Sequence, residues 1–278
     1  MADQNYISRI NGDALFVPAK AATVYAAHEN SLFLGGELIP VVNAPNGVLQ
    51  VPEISKVSAQ TVSAEGTVDL ETRLPTLTKN TINCDLYGAR SVVRDLGNID
   101  PAEIGRSLGM SVAAAFDTAV MDVLGNLTAQ EIAGTGTNDL DVAEIATAVG
   151  TIRGNGETGP LFGVVGAGSY AALMNDIGGS AFAGGDVFQG QALRSGFFGN
   201  IMGVQLFVSS YFDATNTGVT GAKAAIFSGD AMRIAMQANV NLEVARRAEA
   251  VGQDVVASLH AGVGMIDAGR GVIIADAS

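Results

Sequence analysis

From Ala44 to Cys84 the chain carries few side chains able to build a core, and it then runs toward a capped amphipathic helix that starts at Asp100. Within that stretch, Val48–Val57 and Leu74–Ile82 are rich in Val and Thr, residues that suit a pleated surface. Between them, residues 60–69 alternate small polar and apolar side chains, and Gly66 supplies a residue free to take positive φ at a turn. The pattern predicts a long two-stranded ribbon. A lone ribbon buries too little apolar surface to offset the entropy of ordering its backbone, so it needs another surface to lie on. Pro52 and Pro75 each remove a backbone donor, which fits an edge or an isolated ribbon better than a central strand. The alternative is a surface loop folded over its own domain.

With 278 residues, 48% of them hydrophobic, the chain can bury a substantial core in one large domain or two modest ones. Aromatic residues make up only 6%, Trp is absent and Gly numbers 35. The core must therefore be built from Ala, Val, Leu and Ile in thin layers with tight backbone approaches. The formal net charge is -13 and the densest basic point is Arg246-Arg247, so direct DNA or RNA binding is disfavoured. Cys84 is the single cysteine, which excludes an intramolecular disulfide and a multi-cysteine metal site. Residues Met1–Asn5 show no basic segment leading into an apolar one, and no uninterrupted apolar run approaches bilayer length. The expectation is a chain kept in a soluble phase, without a membrane partner.

Along the chain, Pro18 suits a first helical turn, and Val24, Tyr25, His28, Leu32 and Phe33 fall near helical spacing before Gly35-Gly36. Residues 85–94 continue as a strand. Asp100-Pro101-Ala102-Glu103 then resembles a capping box with Pro at the first helical position. The helix that follows places Ile104, Leu108, Val112, Phe116, Val120, Val123, Leu124 and Leu127 on one face and stops at Gly125-Asn126. At 1.5 Å per residue it spans roughly 37 Å. Asp139 or Asp141 caps a second helix carrying Val142, Ile145, Ala146, Val149 and Ile152. A strand at Leu161–Val165, a helix around Ser169–Ile177 and strands at Val204–Val208 and Ala224–Phe227 make the middle region α/β. The Gly-rich segment 178–185 is a loop. Toward the end, Val240, Leu242 and Val244 alternate with polar residues, and Val255, Ala257, Leu259, Ala261, Val263 and Met265 share one face of a long strand. A last strand covers Val272–Ala275, and these late strands are expected to pack on the long helix beside the ribbon's base.

Chemistry is harder to find. Gly166-Ala167-Gly168-Ser169-Tyr170-Ala171 matches a dinucleotide fingerprint, yet no strand ending in an acidic residue completes the unit at the expected distance. The same residues form a loose nucleophile elbow around Ser169, with Asp230 or Asp254 and His260 following in hydrolase order. No Gly-rich oxyanion segment precedes that strand, and His260 sits in an alternating strand. His28 and His260 lie far apart without Cys partners and give no metal-ligand spacing. Asp139-Leu140-Asp141 lacks the other positions of a calcium loop. The sequence therefore predicts no catalytic residue, no cofactor and no metal site.

Three stretches carry a family resemblance: Asp100 to Arg106 continuing through Phe116–Val120, Phe198–Ser209 with its Gly-led strand ending in Ser, and Ala225–Met232 with its Gly-Asp turn. Taken with the order of elements, the chain resembles the major capsid proteins of tailed bacteriophages, which have the Hong Kong 97-like fold. The resemblance implies an α+β chain with an N-terminal arm (1–39), an extended hairpin loop (40–84), a peripheral domain with a spine helix and long strands (85–139 and 228–278), and an α/β axial domain (140–227). It implies self-assembly as pentamers and hexamers into an icosahedral virion shell in the host cytoplasm, enclosing double-stranded DNA without reading its sequence. A portal is implied too, with scaffolding or decoration proteins as further partners. Inter-subunit contacts would involve Gln60, Glu65 and Asp69 at the ribbon tip, Gly178 and Gly184 in the Gly-rich loop, and Arg90, Arg94, Arg246 and Arg247 as ion-pairing residues. Lys56 and Lys79 lie in the ribbon, but no nearby glutamate marks a covalent cross-link, and none is expected. The alternatives are an encapsulin-type compartment for enzyme cargo and a Ser169-dependent hydrolase.

Overall fold

The computed structural model describes residues 18–54, 57, 59, 74–94, 101–132, 140–178 and 200–276. Strict alternation makes β11 (Gly252–Met265) the centre of the first sheet: Val255, Ala257, Leu259 and Ala261 are fully buried, and Val256, Ser258 and His260 between them are half-buried. β11 pairs antiparallel with β10 (Met232–Arg247) on one side and with β4 (Asp85–Arg94) on the other. β1 (Val41–Asn43) adds a short parallel edge to β10. The spine helix α2 (Pro101–Leu124) lies across this sheet within a residue of its expected limits. Leu108, Val112, Phe116, Val120, Met121 and Leu124 enter the core, and Tyr87 of β4 meets Phe116 edge to face at 5.7 Å. By length and composition α2 is apolar enough to cross a bilayer, although Glu103, Arg106, Asp117 and Asp122 interrupt it, and its apolar face is taken up by this core.

The first helix, α1 (residues 18–30), differs from its expected pattern. Its buried face is Ala19, Thr23, Ala26 and Ala27, while Tyr25 and His28 are exposed and Leu32 and Phe33 follow in a turn. The reason is how closely it approaches α2. A Cβ on Gly105 would run into the carbonyl of Ala19, and one on Gly109 into that of Thr23, so only small residues fit where the helices touch. Past this contact the chain is fastened by a buried carboxylate. Asp117 of α2, 2% exposed, accepts the Ser31 hydroxyl at 2.6 Å and the Leu32 amide at 3.0 Å. Burial pushes its pKa up to about 6, partly opposed by these two hydrogen bonds.

The second sheet has six strands in the order β5 (Thr128–Ile132), β12 (Gly271–Asp276), β9 (Ala222–Ser228), β6 (Leu161–Gly166), β8 (Val204–Ser209) and β7 (Asn200–Ile201). β6–β8 and β5–β12 are parallel, and the other pairs are antiparallel. One face, with Leu161, Val165, Leu206, Ile226 and Ile274, shares a core with residues of α3 (Val142–Gly154) and α4 (Ala167–Gly178). The opposite face, through Val164, Ala225, Phe227 and Ile273, joins the core beneath α2. Of the two proposed caps for α3, Asp141 takes the role, accepting the Glu144 amide at 2.9 Å. Val272–Ala275 was expected to lie with the late strands beside the ribbon's base; as part of β12 it pairs instead in the six-stranded sheet, next to β5, a strand the sequence reading did not include. The run Val272–Ala275 is buried at every position, as a strand covered on both faces must be.

Three chain crossings between the sheets lie together. The Ala231 carbonyl accepts the amides of Ile266 (2.8 Å) and Asp267 (3.1 Å), and Thr128 donates to the Ala268 carbonyl at 3.1 Å. Arg270 pairs there with Asp267 (3.1 Å), Glu157 (3.3 Å) and Asp230 (3.8 Å).

Two stability predictions follow from these packings. Gly109→Val should cost the unassembled subunit about 1–3 kcal/mol in denaturant unfolding, because the helix pair cannot part by the width of a side chain without losing contacts. Gly150→Ala, in a part of α3 with open space around it, should instead gain about 0.5–1 kcal/mol. Asp117 contributes a pH dependence of opposite sign to most carboxylates. Its folded pKa is raised, so its contribution is fully present below about pH 4 and is lost as pH rises through about 6. The wild-type minus Asp117→Asn difference in unfolding free energy should therefore fall by up to about 3 kcal/mol between pH 4 and 7. A flat difference would refute the assignment.

Candidate functional site

The expected ribbon is present as β2 (Val48–Ile54) paired antiparallel with β3 (Leu77–Asn83), a sheet of two strands. Its base is anchored on its own subunit. Ile82 is buried with Ala44 and Ala235, and Leu49, which pairs with Ile82, packs against the same cluster. β3 comes this close to β11 because β11 has glycine at the contact. A Cβ on Gly264 would strike the Ile82 side chain, and one on Gly262 the Asn83 carbonyl. Asn80 adds a hydrogen bond from its amide to the Ile266 carbonyl at 3.0 Å. The alternative of a loop lying on its own domain thus holds for the base.

The distal half behaves differently. Ile54 and Leu77 face each other across the ribbon and are 65% and 56% exposed, with Leu74 beyond them at 87%. On the same face Pro52 opposes Lys79 and Gln50 opposes Thr81. Single exposed apolar residues are ordinary, but a cross-strand pair with Leu74 following, on an arm that among the described residues meets its own sheet at its base, forms an exposed apolar surface. The tip residues Gln60, Glu65 and Asp69, and Lys56, lie outside the described residues.

The candidate arginines differ among themselves. Arg90 is committed within the chain, donating from Nε to both oxygens of Asp254 at 2.7 and 2.9 Å, and its guanidinium holds the Asp254 carboxyl below the usual range. Arg90 is therefore paired inside its own chain while its side chain stays more than half exposed. Arg94 is exposed at the end of β4, Arg246 has a partner within the chain, and Arg247 stands 3.9 Å from Glu249. Gly178 closes α4, and Gly184 lies outside the described residues.

No hydrolase constellation forms among the described residues. Ser169 is buried at the start of α4 on the six-stranded sheet, and His260 lies on β11 of the other sheet, opposite Leu86 and Ala238. Both carboxylates in the proposed order are already paired, Asp254 with Arg90 and Asp230 with Arg233 at 2.6 Å. The first glycine of the fingerprint serves packing, since a Cβ on Gly166 would meet the Phe212 carbonyl at 2.8 Å, while Gly168 has open space around it. The parallel strand that follows, β8, ends in Ser209 where a dinucleotide site needs an acid. His28 Nε2 lies 3.4 Å from the Asn239 amide, and no cluster of three or more His, Cys, Asp and Glu forms among the described residues. The sequence reading passed over the exposed pair Ile54 and Leu77. Their signal was parity, since both are large apolar residues in phase with Pro52 and Lys79 on the outward face.

No protein-family model matches the sequence, and no curated protein matches it. Solved structures do match. The asymmetric unit of the mature capsid of bacteriophage PhiM1 aligns with a TM-score of 0.68 and 14% identity, covering 90% of this chain and 88% of that one. The capsid of a native GTA particle gives 0.68 and 14%, covering 87% and 89%. A virus-like particle from Pyrococcus furiosus gives 0.65 and 12%, covering 93% and 98%. At these identities the likeness is one of fold, and it extends over nearly the full length of both chains. Ribbon, spine helix, long-stranded sheet and α/β sheet together are the Hong Kong 97-like capsid fold, and this chain has it.

Proposed function

We propose that this chain is the major capsid protein of a tailed bacteriophage, its copies assembling as pentamers and hexamers into an icosahedral shell around double-stranded DNA. The ribbon carries the reading: among the described residues it is held at its base and leaves Ile54, Leu77 and Leu74 exposed. In a shell these residues lie on the next subunit, burying there what a monomer leaves in water. The charge balance agrees with a container rather than a nucleic-acid binder. A chain of net charge -13 without a basic stripe encloses DNA without gripping it. The job is structural, without catalysis, and its place is the virion after assembly in the host cytoplasm. Arg94, Arg246 and Arg247 at the strand ends and the Gly178–Gly184 region belong to the contacts between copies, with 1–39 as arm and the six-stranded sheet as the axial unit. A portal, and scaffolding or decoration proteins, are the partners such a shell requires.

A second reading keeps the fold and changes the contents. The chain aligns over 98% of a virus-like particle protein as well as with phage capsids, and a shell of this fold holding protein cargo, an encapsulin-type compartment, is that second reading.

Electron microscopy of the largest size-exclusion fraction tests both readings: closed shells with nuclease-protected DNA support the phage capsid, and shells filled with protein support the compartment. A homogeneous monomer or dimer would sink both. The double variant Ile54→Asp, Leu77→Asp should leave the unassembled subunit's unfolding free energy within about 0.5 kcal/mol of wild type, since both sites are exposed. It should nevertheless form no shells. Normal shells from this variant would remove the ribbon from the mechanism.

A further inference from the structure

Two described residues other than glycine have left-handed backbone, Met202 (φ 53°) and Val251 (φ 45°). Both are large apolar side chains, both are at least half exposed, and each sits at the tip of a β-hairpin, Met202 between β7 and β8 and Val251 between β10 and β11. Val251 is the more costly, because a branched Cβ crowds the backbone in that region. It is the fourth residue of a turn closed by its amide donating to the Ala248 carbonyl at 3.2 Å, a position where glycine is the low-strain residue. The adjacent Gly252 is spent elsewhere, since a Cβ there would strike the Val93 carbonyl.

Among the described residues no core cluster takes in the Val251 side chain. It is 61% exposed. Strain of this kind persists where something offsets it. What surrounds the tip indicates the offset: Arg247 and Arg94 pair in register with Gly252 on either side, Arg246 precedes them, and Glu249 is the carboxylate of the turn. In a chain of net charge -13, a strand end carrying Arg94 and Arg247 beside an exposed valine is complementary to the acidic surface of another copy.

We propose that Val251 is a contact residue between copies: the β10–β11 tip seats on a second copy of this chain, the valine against an apolar spot and the flanking arginines against carboxylates. The proposal rests on the shell reading. It carries a signature that simple surface exposure lacks, because relieving the strain should stabilise the subunit and weaken the assembly together. Val251→Gly and Val251→Asn, both at ease in left-handed backbone, should raise the denaturant midpoint of the unassembled subunit. Both should also raise the subunit concentration at which shells first appear by at least about tenfold, as loss of a central contact does. Shells appearing at the wild-type concentration in both variants, or midpoints that do not rise, would overturn the proposal. Wild-type protein that forms no shell at any concentration would instead overturn the shell reading itself.

Discussion

The two faces of β11 do different work, and the rest of the molecule is arranged around that division. Its odd-numbered residues, Val255 to Ala261, are buried in the core that includes the spine helix. Its even-numbered face ends in Gly262 and Gly264, which clear the space where β3 crosses. A strand has only these two faces, so a side chain at either glycine would lift the ribbon off its base. The spine helix would be untouched. The ribbon's direction is thus set by two missing side chains, and its distal exposure follows from how little of it the subunit can cover.

How much of this was legible depended on whether the residues involved are large. The spine helix was read nearly to its ends because Leu108, Val112, Phe116 and Val120 repeat at helical spacing and do become core. The face of α1 was misread for the converse reason. Its contact with α2 is made by Ala19 and Thr23 against Gly105 and Gly109, and small residues leave no hydrophobic period to detect. Asp117 was visible as an acidic residue between Phe116 and Val120 on an apolar face, but its partners at Ser31 and Leu32 are set by tertiary structure alone. Strand β12 was placed in sequence and misplaced in space, since an apolar run states that a strand is buried without naming its neighbours.

Charge follows the same economy. Arg270 ties together the turns where the chain passes between its sheets, and Arg90 closes on Asp254 across neighbouring strands. Each pair is partly exposed and contributes modestly alone. Arg94 and Arg247 lie at the far end of the long strands, in register with Gly252 on either side.

On the proposed shell reading a subunit must be soluble alone and adhesive in company, and the two conflict, because apolar surface that drives assembly also drives aggregation. This chain limits the conflict by spacing. Ile54 and Leu77 sit on a narrow ribbon, and Met202 and Val251 at separate hairpin tips. Each contact is weak when made singly. A neighbour that matches several at once gains from all of them without repeating the entropic cost of association for each, so affinity appears only for the correct geometry. A chain with more apolar surface gathered on one face would bind itself more tightly, but it would do so in the wrong registers as well.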